Sequence, residues 1–372
     1  MSSKNLSRNR ANKNCFVVFR NKKLNNFDIE NSIIKTISSY GYYFNKISYI
    51  AYDSPEEIVS SLVDGRENYE NMLICCPVEM DSMLKNFINS LYSAEFNELG
   101  ILKSDEGCVF LLFSDSENRL HFTDIKNILD GKYDNNFESA YVKTVGATAS
   151  EVKNAIQKTI AVDPESVTKY INFNISENFG ECTIELVYSD KIPKSIFDKA
   201  YRTLVSSLGN SVFAIEDVSL AERLFQLLLL RKMKISVAES FTGGGIGKKL
   251  VEIPGISEVY FEGLNTYSNE AKSNRLKVNN LTLRQYGAVS EEVAREMVEG
   301  LLSDGNCDIA IATTGIAGPK SDNSAKPVGL CYIAVGTEEN IAVYEYKLKG
   351  SRDTITNTAI NLALFLTCKT LK

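Results

Sequence analysis

Apolar positions along the chain change period again and again. Residues 15–19 form an unbroken apolar run of strand length, and residues 28–40 then place Ile29, Ile33, Ile34 and Ile37 at helical spacing. The alternation continues with strands over 44–51, 72–76 and 107–113 and with helices over 54–63 and 122–129. Strands alternating with helices predict a parallel α/β sheet, whose ligand sites lie beyond the carboxyl ends of its strands. A polar stretch over 130–139 separates this segment from a second one. There the pattern predicts a helix near 151–160, strands over 170–175 and 181–188, and a helix over 194–208. Leu220, Leu224, Leu227 and Leu228 then mark a helix that leads into a third segment. Its expected strands are 235–238, 259–266, 307–312, 329–335 and 341–346, and its helices 246–253, 269–276, 290–301 and 352–371. The expectation is an α/β protein of three domains, 14–139, 140–216 and 217–372, behind a polar tail over 1–13 that reads as disordered.

Composition narrows the class. A chain of 372 residues, 44% hydrophobic and 24% charged, has the make-up of an ordinary folded protein with room for several cores. No apolar run reaches membrane-spanning length, since 227–230 is far too short. The basic N-terminal stretch has no apolar run behind it, so it does not read as a secretory signal. A net charge of −6 argues against general nucleic-acid binding. The eight cysteines form no C-x-x-C pair and most lie in apolar runs, which predicts buried, reduced thiols in a cytoplasmic protein. The single histidine, His121, follows Asn118-Arg119-Leu120 in an expected surface loop. One imidazole leaves little room for a Ser-His-Asp triad or a multi-histidine zinc site.

Candidate chemistry gathers in the third segment. Residues 234–250 read as a buried strand, a turn of small residues and a helix. Glu239, Ser240 and Thr242 stand at the strand's exit, and Gly243, Gly244 and Gly245 keep the turn free of side chains. Such a helix start offers unpaired N–H groups to a phosphate or an oxyanion, and a serine there becomes a nucleophile if a base is in reach. The same serine also serves as a simple helix cap. Lys272 is expected in the first turn of the helix after Tyr267, where the helix dipole disfavours positive charge and favours a neutral amine able to act as base. A lone lysine is otherwise a surface residue. Thr313-Thr-Gly-Ile-Ala-Gly-Pro319 offers hydroxyls and N–H groups or is a tight turn, and Arg352 is a phosphate fork or a surface arginine.

These stretches carry a resemblance. Ala238-Glu-Ser-Phe-Thr-Gly-Gly, Thr266-Tyr-Ser-Asn-Glu-Ala-Lys, Gly287-Ala-Val-Ser-Glu-Glu-Val-Ala-Arg-Glu-Met, Thr314-Gly-Ile-Ala-Gly-Pro and Lys326-Pro-Val-Gly are similar to the CinA (competence/damage-inducible protein) family, in its C-terminal nicotinamide-nucleotide amidohydrolase domain. The resemblance covers about 220–372. It implies an α/β/α sandwich with a mixed sheet that hydrolyses nicotinamide mononucleotide to nicotinate mononucleotide and ammonia, in pyridine nucleotide salvage. By the same resemblance Ser240 is the nucleophile, activated by Lys272 and Tyr267, with no metal and no cofactor. Thr242, Gly243, Gly244, Asn269, Thr314, Gly315 and Arg352 bind the nucleotide. Family members commonly form homodimers or larger homo-oligomers.

The chain departs from the family pattern at Phe241, where cysteine is usual, over 320–324, where a Gly-Gly-Thr loop is common, and at Ser351, where aspartate is usual. Phe241 is expected to narrow the pocket. Residues 14–139 resemble the family's molybdopterin-binding-like domain, and 140–216 its small KH-type linking domain. The family's Gly-Thr-Glu and Thr-Gly-Gly-Leu-Gly-Pro-Thr motifs are replaced by Arg20-Asn-Lys and Cys75-Cys-Pro-Val-Glu-Met-Asp. The first domain is therefore expected to be catalytically inactive. The alternative is a non-catalytic nucleotide-binding or scaffold protein in which both sites have decayed.

Overall fold

The computed structural model describes residues 14–20, 28–115, 118–133, 137–321 and 326–372. The expected tail over 1–13 and most of the 320–324 departure lie outside them. The chain divides into two compact units, Met1–Ser139 with Asp163–Asn174 and Glu185–Asp198, and Ala140–Val162 with Ile175–Ile184 and Lys199–Lys372.

The N-terminal elements are β1 (Asn14–Arg20), α1 (Asp28–Ser39), β2 (Lys46–Ala51), α2 (Pro55–Asn68), β3 (Asn71–Cys76), α3 (Asp81–Tyr92), β4 (Ile101–Ser104), β5 (Gly107–Phe113) and α4 (Phe122–Tyr133). They build a sheet of order β2-β1-β3-β5-β4, parallel except at β4. Strand β1 is buried on both faces because its side chains alternate between two cores. Cys15, Val17 and Phe19 meet Leu62, Leu84 and Ile88 on one side, while Phe16 and Val18 meet Ile33, Ile37 and Leu129 on the other. Helix α3 and edge strand β4 lie beyond the elements predicted above, although Leu84, Ile88 and Tyr92 do form a buried helical stripe.

A second sheet, of order β7-β8-β6-β9, comes from β6 (Phe137–Val145), β7 (Ile171–Asn178), β8 (Glu181–Ser189) and β9 (Val212–Ala214), with α5 (Ala149–Ile160), α6 (Pro164–Tyr170) and α7 (Lys194–Leu208) between them. The division between the two units passes through its strands. Helix α5 opens on a capping box in which Thr148 and Glu151 satisfy each other's N–H groups.

The C-terminal elements are α8 (Leu220–Arg231), β10 (Ile235–Glu239), α9 (Gly245–Val251), β11 (Tyr260–Asn265), α10 (Asn269–Leu276), α11 (Asn280–Tyr286), α12 (Glu291–Leu302), β12 (Ile309–Gly315), β13 (Leu330–Gly336), β14 (Ile341–Lys347) and α13 (Arg352–Thr370). Their sheet has the order β11-β10-β12-β13-β14. Strands β11, β10 and β12 are parallel and β13 and β14 antiparallel, so the sheet is mixed, as expected. Ile235, Val237, Ile309 and Ile311 face the core shared with α8, α9 and α13. The other face carries Ala238, Ala310, Ala312 and Ala334, whose small side chains bring Val293, Met297 and Leu301 of α12 close to the strands.

Candidate active site

Three parallel strands end at one edge, which is where this domain places its reactive side chains. Glu239 is in register with Asn265, the last residue of β11, and with Thr313 near the end of β12, so the residue that follows β10 emerges between these two neighbouring strands. That residue is Ser240. Its N–H donates to the Thr313 carbonyl at 3.1 Å, and Thr266 N–H donates to the Glu239 carbonyl at 2.8 Å.

Lys272 reaches this point from α10. Ser268 caps the helix, accepting from Ala271 N–H at 3.0 Å, and sets the direction in which Lys272 leaves its first turn. Lys272 Nζ lies 2.9 Å from Ser240 Oγ, 2.8 Å from the Thr266 carbonyl oxygen and 3.5 Å from that of Tyr267. The side chain is 1% exposed, and Ser240 is 8% exposed. No carboxylate pairs with the amine among the described residues, and burial lowers its pKa to about 8. The neutral amine expected from the helix dipole is thus favoured by a different cause, desolvation.

The glycine turn corrects a further expectation. Gly243 and Gly244 have φ of 64° and 94°, a region open to glycine at little cost. The N–H groups at the start of α9 are not free for a phosphate or oxyanion, because the Glu239 carboxylate takes them. Its Oε2 accepts from Gly244 N–H at 3.1 Å and Ile246 N–H at 3.0 Å, and its Oε1 from Gly247 N–H at 2.8 Å. Among the N–H groups of this turn, those of Phe241 and Thr242, directly after the serine, make no hydrogen bond to the described residues. Phe241, where a ring is expected to narrow the pocket, is 5% exposed. Its side chain is buried in the core with Ile246 and Ile360.

The threonines act as posts. Thr242 Oγ1 and Thr313 Oγ1 are 2.8 Å apart, and Thr314 Oγ1 donates to the Ala288 carbonyl at 2.6 Å. Gly315 must lack a side chain, since a Cβ would stand 2.5 Å from Cys331 Cβ and 3.0 Å from the Phe241 ring. Lys326 Nζ donates to the Tyr286 and Val289 carbonyls at 2.6 and 2.5 Å, which ties the Lys-Pro-Val-Gly stretch to the loop before α12.

Asn269, Tyr267 and Arg352 stand further out. Asn269 is exposed, and its side chain makes no bond within the protein. Tyr267 is 61% exposed, and its phenol accepts from Arg352 Nη2 at 3.2 Å. It therefore contributes its main-chain carbonyl to Lys272 and its hydroxyl to Arg352, which corrects its expected place beside the nucleophile. Arg352 Nη1 donates to the Gly318 carbonyl at 2.7 Å. Neutral acceptors hold the guanidinium, so its charge stays available to an anion.

The strand ends of the first sheet look different. Arg20 pairs with the buried Glu30 at 2.6 Å and lies 4.6 Å over the Tyr49 ring, while Asp115 accepts from Val78 N–H at 2.9 Å. No His, Cys, Asp and Glu group suited to a metal occurs among the described residues. All eight cysteines are buried and free, and His121 is exposed ahead of α4, both as expected. No helix among the described residues is long and apolar enough to cross a membrane.

Sequence reasoning noted Glu239 without giving it a role, and missed Thr266 and Gly300. A carboxylate directly before a glycine turn was the available signal for the first.

Fold and site together define an α/β protein with a serine–lysine pair at the carboxyl edge of a mixed sheet. Residues 217–371 match the profile described as the CinA C-terminal domain. The chain is 39% identical over 239 residues to a competence-damage inducible protein of Clostridium beijerinckii, covering 62% of this chain and 56% of that one. It is 43% identical over 175 residues to a CinA-like protein of Fusobacterium nucleatum, covering 46% and 42%. A solved competence/damage inducible protein of Agrobacterium tumefaciens is 37% identical, with 40% of this chain and 90% of that one covered and a TM-score of 0.39. For a CinA superfamily protein of Klebsiella pneumoniae the identity is 32%, the coverage 41% and 95%, and the TM-score 0.40. The chain belongs to the CinA family. It spans about half the length of the curated relatives it matches.

Proposed function

We propose that the protein is a metal-independent serine amidohydrolase that converts nicotinamide mononucleotide to nicotinate mononucleotide and ammonia. The observation that carries this reading is the 2.9 Å approach of a buried, carboxylate-free Lys272 Nζ to Ser240 Oγ. Neutral Lys272 takes the Ser240 proton as Oγ attacks the carboxamide carbon. The carbonyl π electrons move to oxygen, and the N–H groups of Phe241 and Thr242 receive the oxyanion. Collapse breaks the C–N bond, Lys272 returns its proton to the leaving nitrogen, and ammonia departs from an acyl ester on Ser240. A water deprotonated by Lys272 then attacks that ester, and the proton passes back to Ser240 as nicotinate leaves. Arg352 meets the phosphate, while Asn269 and the posts Thr242 and Thr314, with Gly243, Gly244 and Gly315, shape the place for amide and ribose.

In this reading the first domain serves assembly or regulation rather than catalysis, and the protein works in the cytoplasm as a homodimer or larger homo-oligomer. The test is ammonia release from nicotinamide mononucleotide by the wild type and by Ser240→Ala. Release by the wild type alone supports the hydrolase. Binding of nicotinate mononucleotide with no release by either replaces it with a nucleotide binder.

A further inference from the structure

Two carboxylates are buried among the described residues, Glu30 and Glu239. Glu30 faces Arg20, so its charge is matched. Glu239 pairs with no cation among the described residues. Its charge is balanced by main-chain dipoles alone, through the three N–H groups of Gly244, Ile246 and Gly247 at 2.8–3.1 Å. Charge-assisted bonds to the open end of a helix suit a buried carboxylate well.

The position of this carboxylate in the chain matters as much as its bonds. Residue 239 is tied to residues 244–247, which closes a ring around 240–243. Within the ring, Gly243 N–H donates to the Ser240 carbonyl and Ser240 N–H to Thr313, each at 3.1 Å. What the ring leaves unbonded are the N–H groups of Phe241 and Thr242. Tyr260 lies close to the carboxylate, near Gly247. A Cβ on Gly263 or Gly247 would come within 2.1 or 2.8 Å of the Tyr260 hydroxyl, and one on Gly247 within 3.6 Å of Glu239 Oε1. The glycines therefore make room for the phenol beside Glu239, and burial together with that carboxylate's charge pushes the phenol's pKa up to about 12.

We propose that Glu239 is a positioning residue whose carboxylate clasps the 240–247 turn, holding the Phe241 and Thr242 N–H groups ready for the oxyanion formed at Ser240. The proposal rests on Ser240 being a nucleophile and deepens that reading. The clasp needs both carboxylate oxygens as acceptors. Glutamine has the same shape, but its amide nitrogen must face one of the three N–H groups and leave that donor unpaired.

A fluorophosphonate ester tests this without depending on the physiological substrate. The probe forms a P–O bond to an activated serine and expels fluoride, with the serine proton passing to the base. The full chain is used, with Ser240→Ala as the blank, and melting temperature and amide exchange over 244–247 are measured beside the labelling rate. Glu239→Gln should label about 10–100-fold more slowly, less than the roughly 10²–10³-fold cost of removing an oxyanion donor outright, because the donors are loosened and not lost. Its pH midpoint should stay at the wild-type value, because Lys272 is untouched, and amides 244–247 should exchange faster. If Glu239→Gln does not fold, Glu239→Asp keeps the charge while shortening its reach, and the same slowing is expected. Labelling of either variant at the wild-type rate overturns the clasp. No labelling of the wild type at Ser240 overturns both the clasp and the hydrolase. Normal labelling of the wild type, slowing by Gln, and no ammonia from nicotinamide mononucleotide support the clasp and sink only the substrate assignment.

Discussion

Lys272 Nζ stands 2.9 Å from Ser240 Oγ, and among the described residues no carboxylate pairs with the amine. Burial alone sets its charge state, and its pKa near 8 puts the ionisation within reach of ordinary assays. A base must be neutral to accept the serine proton. The value of kcat/KM for nicotinamide mononucleotide should therefore rise with pH and level off above about 8. A flat profile between pH 6 and 10 counts against Lys272 as the base.

The same burial affects stability. An amine with a folded pKa near 8 and an ordinary value of 10.5 destabilises the fold fully below pH 8, and this cost is relieved as pH rises from 8 to 10.5. In that window the unfolded chain holds more protons, so stability increases with pH. Lys272→Met should abolish activity and remove this slope, raising stability at pH 7 by up to about 3 kcal/mol. Chemical denaturation of both proteins at pH 7 and pH 10.5 reads the difference.

Arg352 is held by a carbonyl and a phenol, so its charge is not spent on a carboxylate. Arg352→Ala should raise KM for nicotinamide mononucleotide about 10–100-fold with a smaller change in kcat, as expected for lost ground-state binding. Nicotinamide riboside, which lacks the phosphate, should be processed equally by both proteins. An equal loss on the riboside would place Arg352 elsewhere in the reaction.

Helix α12 touches the back of α10 at Gly300. A Cβ there would lie 2.1 Å from the carbonyl oxygen of Leu276, a main-chain atom that cannot swing away. Gly300→Ala should push α10 from the sheet, cost about 1–3 kcal/mol and lower kcat/KM. The pH midpoint should rise as Lys272 becomes better solvated. Gly131→Ala, in α4 with open space around it, is the control and should change none of these.

Phe241 lies in the core beside Gly315. Phe241→Cys should lower stability by about 2–4 kcal/mol through the cavity it leaves, with KM unchanged. A fall in KM would restore the idea that this ring narrows the pocket.

Much of this protein is legible in its residues, and the part that is not has a common cause. The strand runs over 235–238 and 307–312, the helical spacing of Val293, Met297 and Leu301, and the glycines at 243–245 report on local backbone preference. Each was read correctly as strand, helix or turn. Their order places Ser240 beside Thr313 of the neighbouring strand once the two strands are parallel. The direction of a side chain beyond a strand end is a different matter, since it depends on partners brought together from distant parts of the chain. Nothing near residue 267 says that its phenol turns outward to Arg352, and nothing near 241 says that its ring enters the core beside Gly315. The helix start after Ser240 reads as a vacant anion site until Glu239 is seen to fill it. Lys272 is marked as a candidate base by its place in the first turn of a helix, but the burial that lowers its pKa arises only when Ser240 and Thr266 enclose its amine, because desolvation belongs to the packed state and has no counterpart in the local pattern.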